Sequence, residues 1–271
     1  MVIWELGISM IVLAALIHLP KTVILIFSCL LIFGHDLLDK VQFEGNILWS
    51  ILHQPSVFKL SDSHTLGVFY PLIPWIAVMS LGYYFGNFYE KSFDTRKRKK
   101  ILNIIGISAI ILFIILSLIN KYGDPRGWTH YDTFTKTLMS VFNPNKYPPS
   151  LLYLLMTLGP ACIFLANSER LRGKVVDFFC IFGRVPFFYY VIHIYLIHFI
   201  ALLFAQFSGF GWESMILSGF PALSPALHGY GFPLWVVYVV WIGVIAITYP
   251  LCKIFDTYKL NHKEKWWLSY L

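Results

Sequence analysis

Charge is scarce in this sequence. Only 13% of its 271 residues are Asp, Glu, Lys or Arg, against 58% hydrophobic. Soluble domains carry about 25% charged residues, so a water-soluble globular protein is excluded. No stretch shows the alternating ten-residue pattern of an outer-membrane barrel; the apolar residues come in long continuous runs, which favours helices. Cysteine is also sparse. Cys29, Cys162, Cys180 and Cys252 each lie within or beside an apolar run and form no CxxC pair. They read as small buried hydrophobes, not as a disulfide framework or zinc site. No HxxxH or HExxH spacing occurs, so no metal site is expected. There is no repeat of 20–50 residues and no signal-peptide layout. The net charge of +7 sits in short loops between apolar runs. Membrane topology explains it better than nucleic acid, which is not expected as a partner.

What is present is an all-α polytopic transmembrane helix bundle of about seven spans. They run from about Val2 to His18, Thr22 to Leu37, Gly67 to Tyr89, Ile101 to Ile119, Ser150 to Ala166, Phe182 to Phe204 and Phe232 to Cys252. A polar loop, Asp39 to about Leu66, follows the second span. A second long loop, Asn120 to Pro149, follows the fourth, and Ser150 suits the N-cap of the fifth. A Gly/Ser/Pro-rich loop, Ser208 to Gly231, precedes the last span. Alternating spans put fifteen Lys and Arg residues on one side and six on the other. The positive-inside rule then makes the basic side and the C-terminus cytoplasmic. The N-terminus falls outside, without a cytoplasmic anchor before its first helix. The simplest explanation is a single transmembrane domain, 1–271, that is the C-terminal portion of a longer one.

The second span ends in Phe33-Gly34-His35-Asp36-Leu37-Leu38-Asp39. On an α-helix His35 and Asp39, four apart, share a face, with Asp36 beside them. A histidine with a carboxylate one turn away can act as a general base with an orienting partner. The plainer alternative is a polar cluster that closes a helix end, although acids there oppose the helix dipole.

The sixth span, Phe182 to Phe204, holds His193 and His198 with Tyr189 and Tyr190, and enters through Gly183-Arg184-Val185-Pro186. Ionisable groups inside a span are costly and mark pathways or sites. Five residues apart, the two histidines diverge by about 140° and cannot share one small ion. Tyr189 shares the His193 face. The alternative for either histidine is an interhelix hydrogen bond worth roughly 1 kcal/mol. Glu5, inside the first span, needs a partner or a wet cavity. Gly82 and Gly86 in the third span make a GxxxG face suited to close helix contact, and the aliphatic fourth span is expected to face lipid.

Four blocks carry a resemblance: WELGISMIVLAALIHLPKTVILIFSCLLIFGHDLLD, YPLIPWIAVMSLGYYFG, NPNKYPPSLLYLLMTLGPACIFLA and FGRVPFFYYVIHIYLIHFIALL. They resemble, in order, the bacterial members of the heparan-alpha-glucosaminide N-acetyltransferase catalytic-domain family. The resemblance implies a membrane-acyltransferase-like bundle in the bacterial cytoplasmic (inner) membrane. It implies transfer of an acetyl or acyl group from cytoplasmic acyl-CoA to an outward-facing sugar or other polar acceptor. It implies no tightly bound cofactor, with acetyl-CoA or another acyl-CoA as a cosubstrate. The family's first helix and outer loop, which supply a catalytic histidine, have no counterpart here, so no residue inherits that role. The candidate catalytic residues are His193, His198, His35, Asp36 and Asp39, and those for the donor are Arg184, Arg170 and Tyr189. The lipid bilayer and a small-molecule or glycan acceptor are the expected partners, with homo-oligomers left open. Two other functions fit the same residues: a transporter or flippase for a polar or lipid-linked sugar, with Glu5 and the histidines as a proton path, and a non-catalytic truncated family member.

Overall fold

The computed structural model describes residues 2–61, 64–217 and 224–270. The chain forms two compact units, Met1–Arg170 and Leu171–Leu271.

The first unit opens with α1 (Val2–Leu16) and α2 (Lys21–Gly34). The α2 helix tightens into a 3-10 turn over His35–Lys40. The polar loop read from the sequence is more structured than its composition suggests. It holds a short helix, α3 (Ile47–Leu52), and an antiparallel hairpin, β1 (Ser56–Lys59) with β2 (Thr65–Val68), in which Val57 faces Gly67. The fold is therefore helical, with one small sheet among the described residues. Next come α4 (Ile73–Phe85) and α5 (Thr95–Ile119), then the short α6 (Phe134–Val141) and α7 (Leu151–Ser168). The second unit comprises α8 (Lys174–Arg184), α9 (Pro186–Phe207) and α10 (Leu234–Asn261).

Five helical segments among the described residues are long and apolar enough to cross a membrane: Lys21–Lys40, Thr95–Ile119, Leu151–Ser168, Pro186–Phe207 and Leu234–Asn261. The remaining two expected spans coincide with α1, of 15 residues, and α4, of 13. At about 1.5 Å per residue they reach roughly 20 Å, less than the hydrocarbon thickness of about 30 Å. Pro71 and Pro74 shorten the third run. They hold the chain before α4 out of helix and place Pro74 at its first turn, where a missing N–H is tolerated.

The core of the first unit joins Ile32 of α2, Ala77 of α4, Phe113 of α5 and Leu151, Leu152, Leu154 and Leu155 of α7. Its closest helix contact is between α5 and α7, where glycines allow the backbones to meet. A Cβ on Gly106 would lie 2.6 Å from the Gly159 carbonyl oxygen and 2.6 Å from Ile163 Cγ1. By contrast, a Cβ on Gly82 or Gly86 would meet nothing within 4 Å. The expected GxxxG face is therefore not where the helices pack. The aliphatic α5 has two faces: Leu102, Gly106, Phe113 and Ser117 are buried, while Ile104, Ile107, Ile111 and Leu118 point outward. The thiols also differ from expectation at one position, since Cys180 is exposed.

In the second unit Ile181, Val185 and Cys252 form a small core with Phe182, Phe188, Tyr189, Tyr249 and Phe255. Phe188 stacks on Phe255 at 4.1 Å, and Phe178 on Tyr249 at 4.6 Å. Arg184, at the end of α8, grips Asp256 of α10 through two bonds, Nε to Oδ1 at 2.7 Å and Nη2 to Oδ2 at 2.6 Å.

Candidate functional site

A helix N-terminus presents backbone N–H groups without intrahelical partners. At α7 each one has found an acceptor. Leu151 N donates to Asp36 Oδ2 at 3.0 Å, Leu152 N to the Gly123 carbonyl at 2.8 Å and Tyr153 N to Ser150 Oγ at 3.2 Å. Ser150 is thus the N-cap, as its sequence position suggested, and its hydroxyl donates to Asp124 Oδ2 at 3.1 Å. The acid that seemed misplaced at the end of α2 is well placed for α7. The negative charge of Asp36 sits at the positive end of that helix's dipole.

His35 is buried beside Asp36. Its Nδ1 faces the carbonyl oxygens of Leu31 at 3.1 Å and Ile32 at 3.0 Å. Its Nε2 faces the Pro149 carbonyl at 2.9 Å and Asp36 Oδ1 at 2.9 Å. All four neighbours are acceptors. They are satisfied when both ring nitrogens carry hydrogen and Asp36 balances the charge. The ring then offers no lone pair for taking a proton. His35 and Asp36 clamp α2 to the start of α7.

The expected partnership of His35 with Asp39 is not formed, and the 3-10 turn explains why. At three residues per turn, side chains four apart diverge by about 120° instead of aligning. Asp39 turns to His53 at the end of α3, with Oδ1 accepting from Nε2 at 2.9 Å. His53 is 2% exposed, and its Nδ1 has no hydrogen-bond partner among the described residues. Its ring lies 6.4 Å from that of His35 and 5.5 Å from Trp49, edge-on to the first and tilted to the second. With the Nε2 hydrogen given to Asp39, Nδ1 carries a lone pair. A carboxylate that fixes the tautomer and a free opposite nitrogen are the two elements of a general base. Tyr122 closes the cluster, its hydroxyl donating to the Phe33 carbonyl. Burial, together with the charges of Asp36 and Asp39, raises the pKa of this phenol.

Sequence reasoning did not pair His53 with Asp39. The two lie fourteen positions apart, a distance at which no helical or strand periodicity links two residues. The local signal was the short run NILWSILH, in which Asn46 caps α3 by accepting from Trp49 N at 3.0 Å.

The remaining candidates belong mostly to the second unit. His193, half-buried on α9, places Nδ1 2.9 Å from the Tyr189 carbonyl and stacks on the Tyr189 ring at 4.8 Å. The shared face of these two residues is thus formed. With Nδ1 donating, the neutral ring accepts at Nε2 and has no donor left for polarising a carbonyl. His198 is exposed. The guanidinium of Arg184 is engaged by Asp256, which raises its pKa further above the ordinary arginine value. Arg170, the last residue of the first unit, is exposed. Glu5 is buried and accepts from Ser9 Oγ at 2.9 Å, one turn along α1.

At the opposite end of the first unit from His35, Arg98 alone of the basic run Lys91 to Lys100 is buried. It binds Glu169 through Nε to Oε1 at 2.8 Å and Nη2 to Oε2 at 2.7 Å, and donates to the Phe88 carbonyl at 3.0 Å. The guanidinium holds the Glu169 carboxyl below the usual carboxylate range. Among the described residues, no three His, Cys, Asp or Glu side chains gather in a way that could hold a metal ion.

Comparison with protein families gives one match: the family model described as heparan-alpha-glucosaminide N-acetyltransferase, catalytic, matches residues 2–118. That stretch contains His35, Asp36, Asp39 and His53. No curated protein and no solved structure matches the chain.

Proposed function

We propose that this chain, whose residues 2–118 match the family model described as heparan-alpha-glucosaminide N-acetyltransferase, catalytic, takes part in acyl transfer from an acyl-CoA to a polar acceptor at the Asp39–His53 pair. The observation that carries the reading is the His53 Nδ1, without a hydrogen-bond partner among the described residues and opposite a ring nitrogen bound to Asp39. An acceptor hydroxyl or amine hydrogen-bonded to that nitrogen gives up its proton as its oxygen or nitrogen attacks the thioester carbonyl carbon. The new C–O or C–N bond forms, the C–S bond breaks, and the imidazolium returns the proton to the departing thiolate. Asp39 keeps the ring oriented and offsets its transient charge. The acceptor is a sugar or a comparably polar molecule on the non-cytoplasmic side of the membrane. The donor's phosphates approach the basic residues on the cytoplasmic side of the first unit, with Arg170 as a contact. His193, with Nε2 as an acceptor, serves a bound hydroxyl or amine better than a thioester carbonyl.

The test uses the purified chain in lipid nanodiscs with labelled acetyl-CoA and a panel of amino sugars. Transfer is expected, and His53→Gln is expected to slow it by about 10²–10⁴-fold, the usual worth of a positioned base, with thermal stability largely kept. Absence of transfer to every acceptor, or a His53→Gln variant as fast as the parent, overturns the reading.

A further inference from the structure

Between α2, α4, α5 and α7 lies a cavity of about 370 Å³, within the range of about 300–1,000 Å³ of small-molecule sites. Its lining carries no charged side chain. Ser108 supplies the only hydroxyl, and Cys29 and Cys162 the thiols; the rest is hydrocarbon, aromatic ring or glycine. Gly82 forms part of the wall, and a Cβ there would meet nothing within 4 Å, so the space begins directly at the α4 backbone. The contrast with Gly106 and Gly159 is informative. Those glycines bring two helices into contact, whereas Gly82 holds a gap open.

Two lining residues, Phe33 and Leu165, are also 47% and 44% exposed, on a surface shared with outward-facing residues such as Ile26 and Leu30. The cavity is therefore continuous with the outer surface of the bundle. The segment Lys21–Lys40, which contains α2, and the helices α5 and α7 are all of membrane-crossing length and composition, so the medium at its mouth is lipid hydrocarbon. Water has no partners inside such a lining. Left empty, the walls would forfeit their dispersion contacts on one side.

We propose that this slot is a binding site for one hydrocarbon chain of a membrane lipid. The occupant is apolar because the lining offers a sugar or phosphate no charge and only the hydroxyl of Ser108 and two weakly bonding thiols, and chain-like because the opening faces the acyl region of the bilayer. This inference does not rest on the acyl-transfer reading, and its test does not measure activity.

The protein is placed in phosphatidylcholine nanodiscs doped with a phosphatidylcholine that carries a diazirine midway along one chain. After irradiation, adducts are mapped by mass spectrometry. Adducts on slot residues, around Gly82 and Cys162, are expected to exceed those on the outward residues Ile111 and Leu118 severalfold. Gly82→Leu, which fills the slot from α4, should abolish the slot adducts and leave the outward ones. Ala161→Leu should do the same from α7, with thermal unfolding confirming that each variant is folded. No excess at the slot in the parent protein overturns the proposal. So does slot labelling that persists in both folded variants. If neither variant folds, the ratio in the parent protein decides alone.

Discussion

Gly106 of α5 stands so close to Gly159 of α7 that a single added carbon on Gly106 would lie 2.6 Å from the Gly159 carbonyl oxygen. In a bilayer, helices gain no hydrophobic advantage from leaving lipid for one another, so close backbone packing carries much of their association. The contact therefore bears on the stability of the whole first unit.

Gly106→Ala is expected to destabilise the protein by about 1–3 kcal/mol, the usual cost of overpacking, because the opposing atom is backbone and cannot rotate away. Gly82→Ala, with open space around its Cβ, should be neutral or gain up to about 1 kcal/mol from helix propensity. Thermal unfolding of both variants in one detergent measures the difference. Equal melting temperatures would remove the α5–α7 contact from the account of stability.

His35 and Asp36 are a matched buried pair. Removing either partner leaves the other unpaired, so His35→Ala or Asp36→Ala should cost about 3–5 kcal/mol. The double variant should cost clearly less than the two losses added together. His53→Gln, by contrast, should cost only about 1 kcal/mol, because Asp39 is partly exposed and water replaces its partner. Denaturation of the four variants separates a structural clamp from a chemical group. A larger stability loss at His53 than at His35 would reverse those assignments.

Glu169 gives a dependence on pH with a definite sign. Arg98 holds the folded-state pKa of its carboxyl below the ordinary 4.5. The contribution of the pair is thus fully present above 4.5 and is lost as pH falls from there through the lower folded value. The carboxylate is 39% exposed, which limits the effect to about 1 kcal/mol. Melting curves from pH 6 down to 3 should fall more steeply for the parent protein than for Glu169→Gln. Parallel curves would show that the ion pair adds nothing.

Arg184 and Asp256 lie 72 positions apart and should couple by about 1 kcal/mol in a double-mutant cycle with alanine, a modest value because the arginine is half exposed. If the same cycle run on acyl-CoA binding also shows coupling, the guanidinium has a second task beyond joining α8 to α10. Strict additivity in stability would mean that the two helices hold together through Phe178, Tyr249 and their neighbours alone.

Much of this fold could be read directly from the sequence, and the parts that could not share a physical cause. Long apolar runs place α2, α5, α7, α9 and α10, because burial in lipid selects composition over a whole helix. Ser150 was legible because a cap is a local hydrogen bond. The hairpin at Ser56–Lys59 and Thr65–Val68 escaped notice because four-residue strands of mixed polarity leave almost no periodic signal. The pairing of His35 with Asp36 instead of Asp39 depends on the helix tightening at its end, which is decided by contacts with α7. Glycines at 106 and 159 carry no shared motif, whereas Gly82 and Gly86 display one that the packing does not use.

The clamp between α2 and α7 also has a temporal side. Asp36 meets Leu151 across 115 residues of chain. At a synthesis rate of about 5–20 residues per second, the growing protein must wait roughly ten seconds between making the carboxylate and making the helix start that receives it. Throughout that interval His35 and Asp36 still lack the backbone of α7. Arrival of Leu151 thus acts as a latch for the first unit.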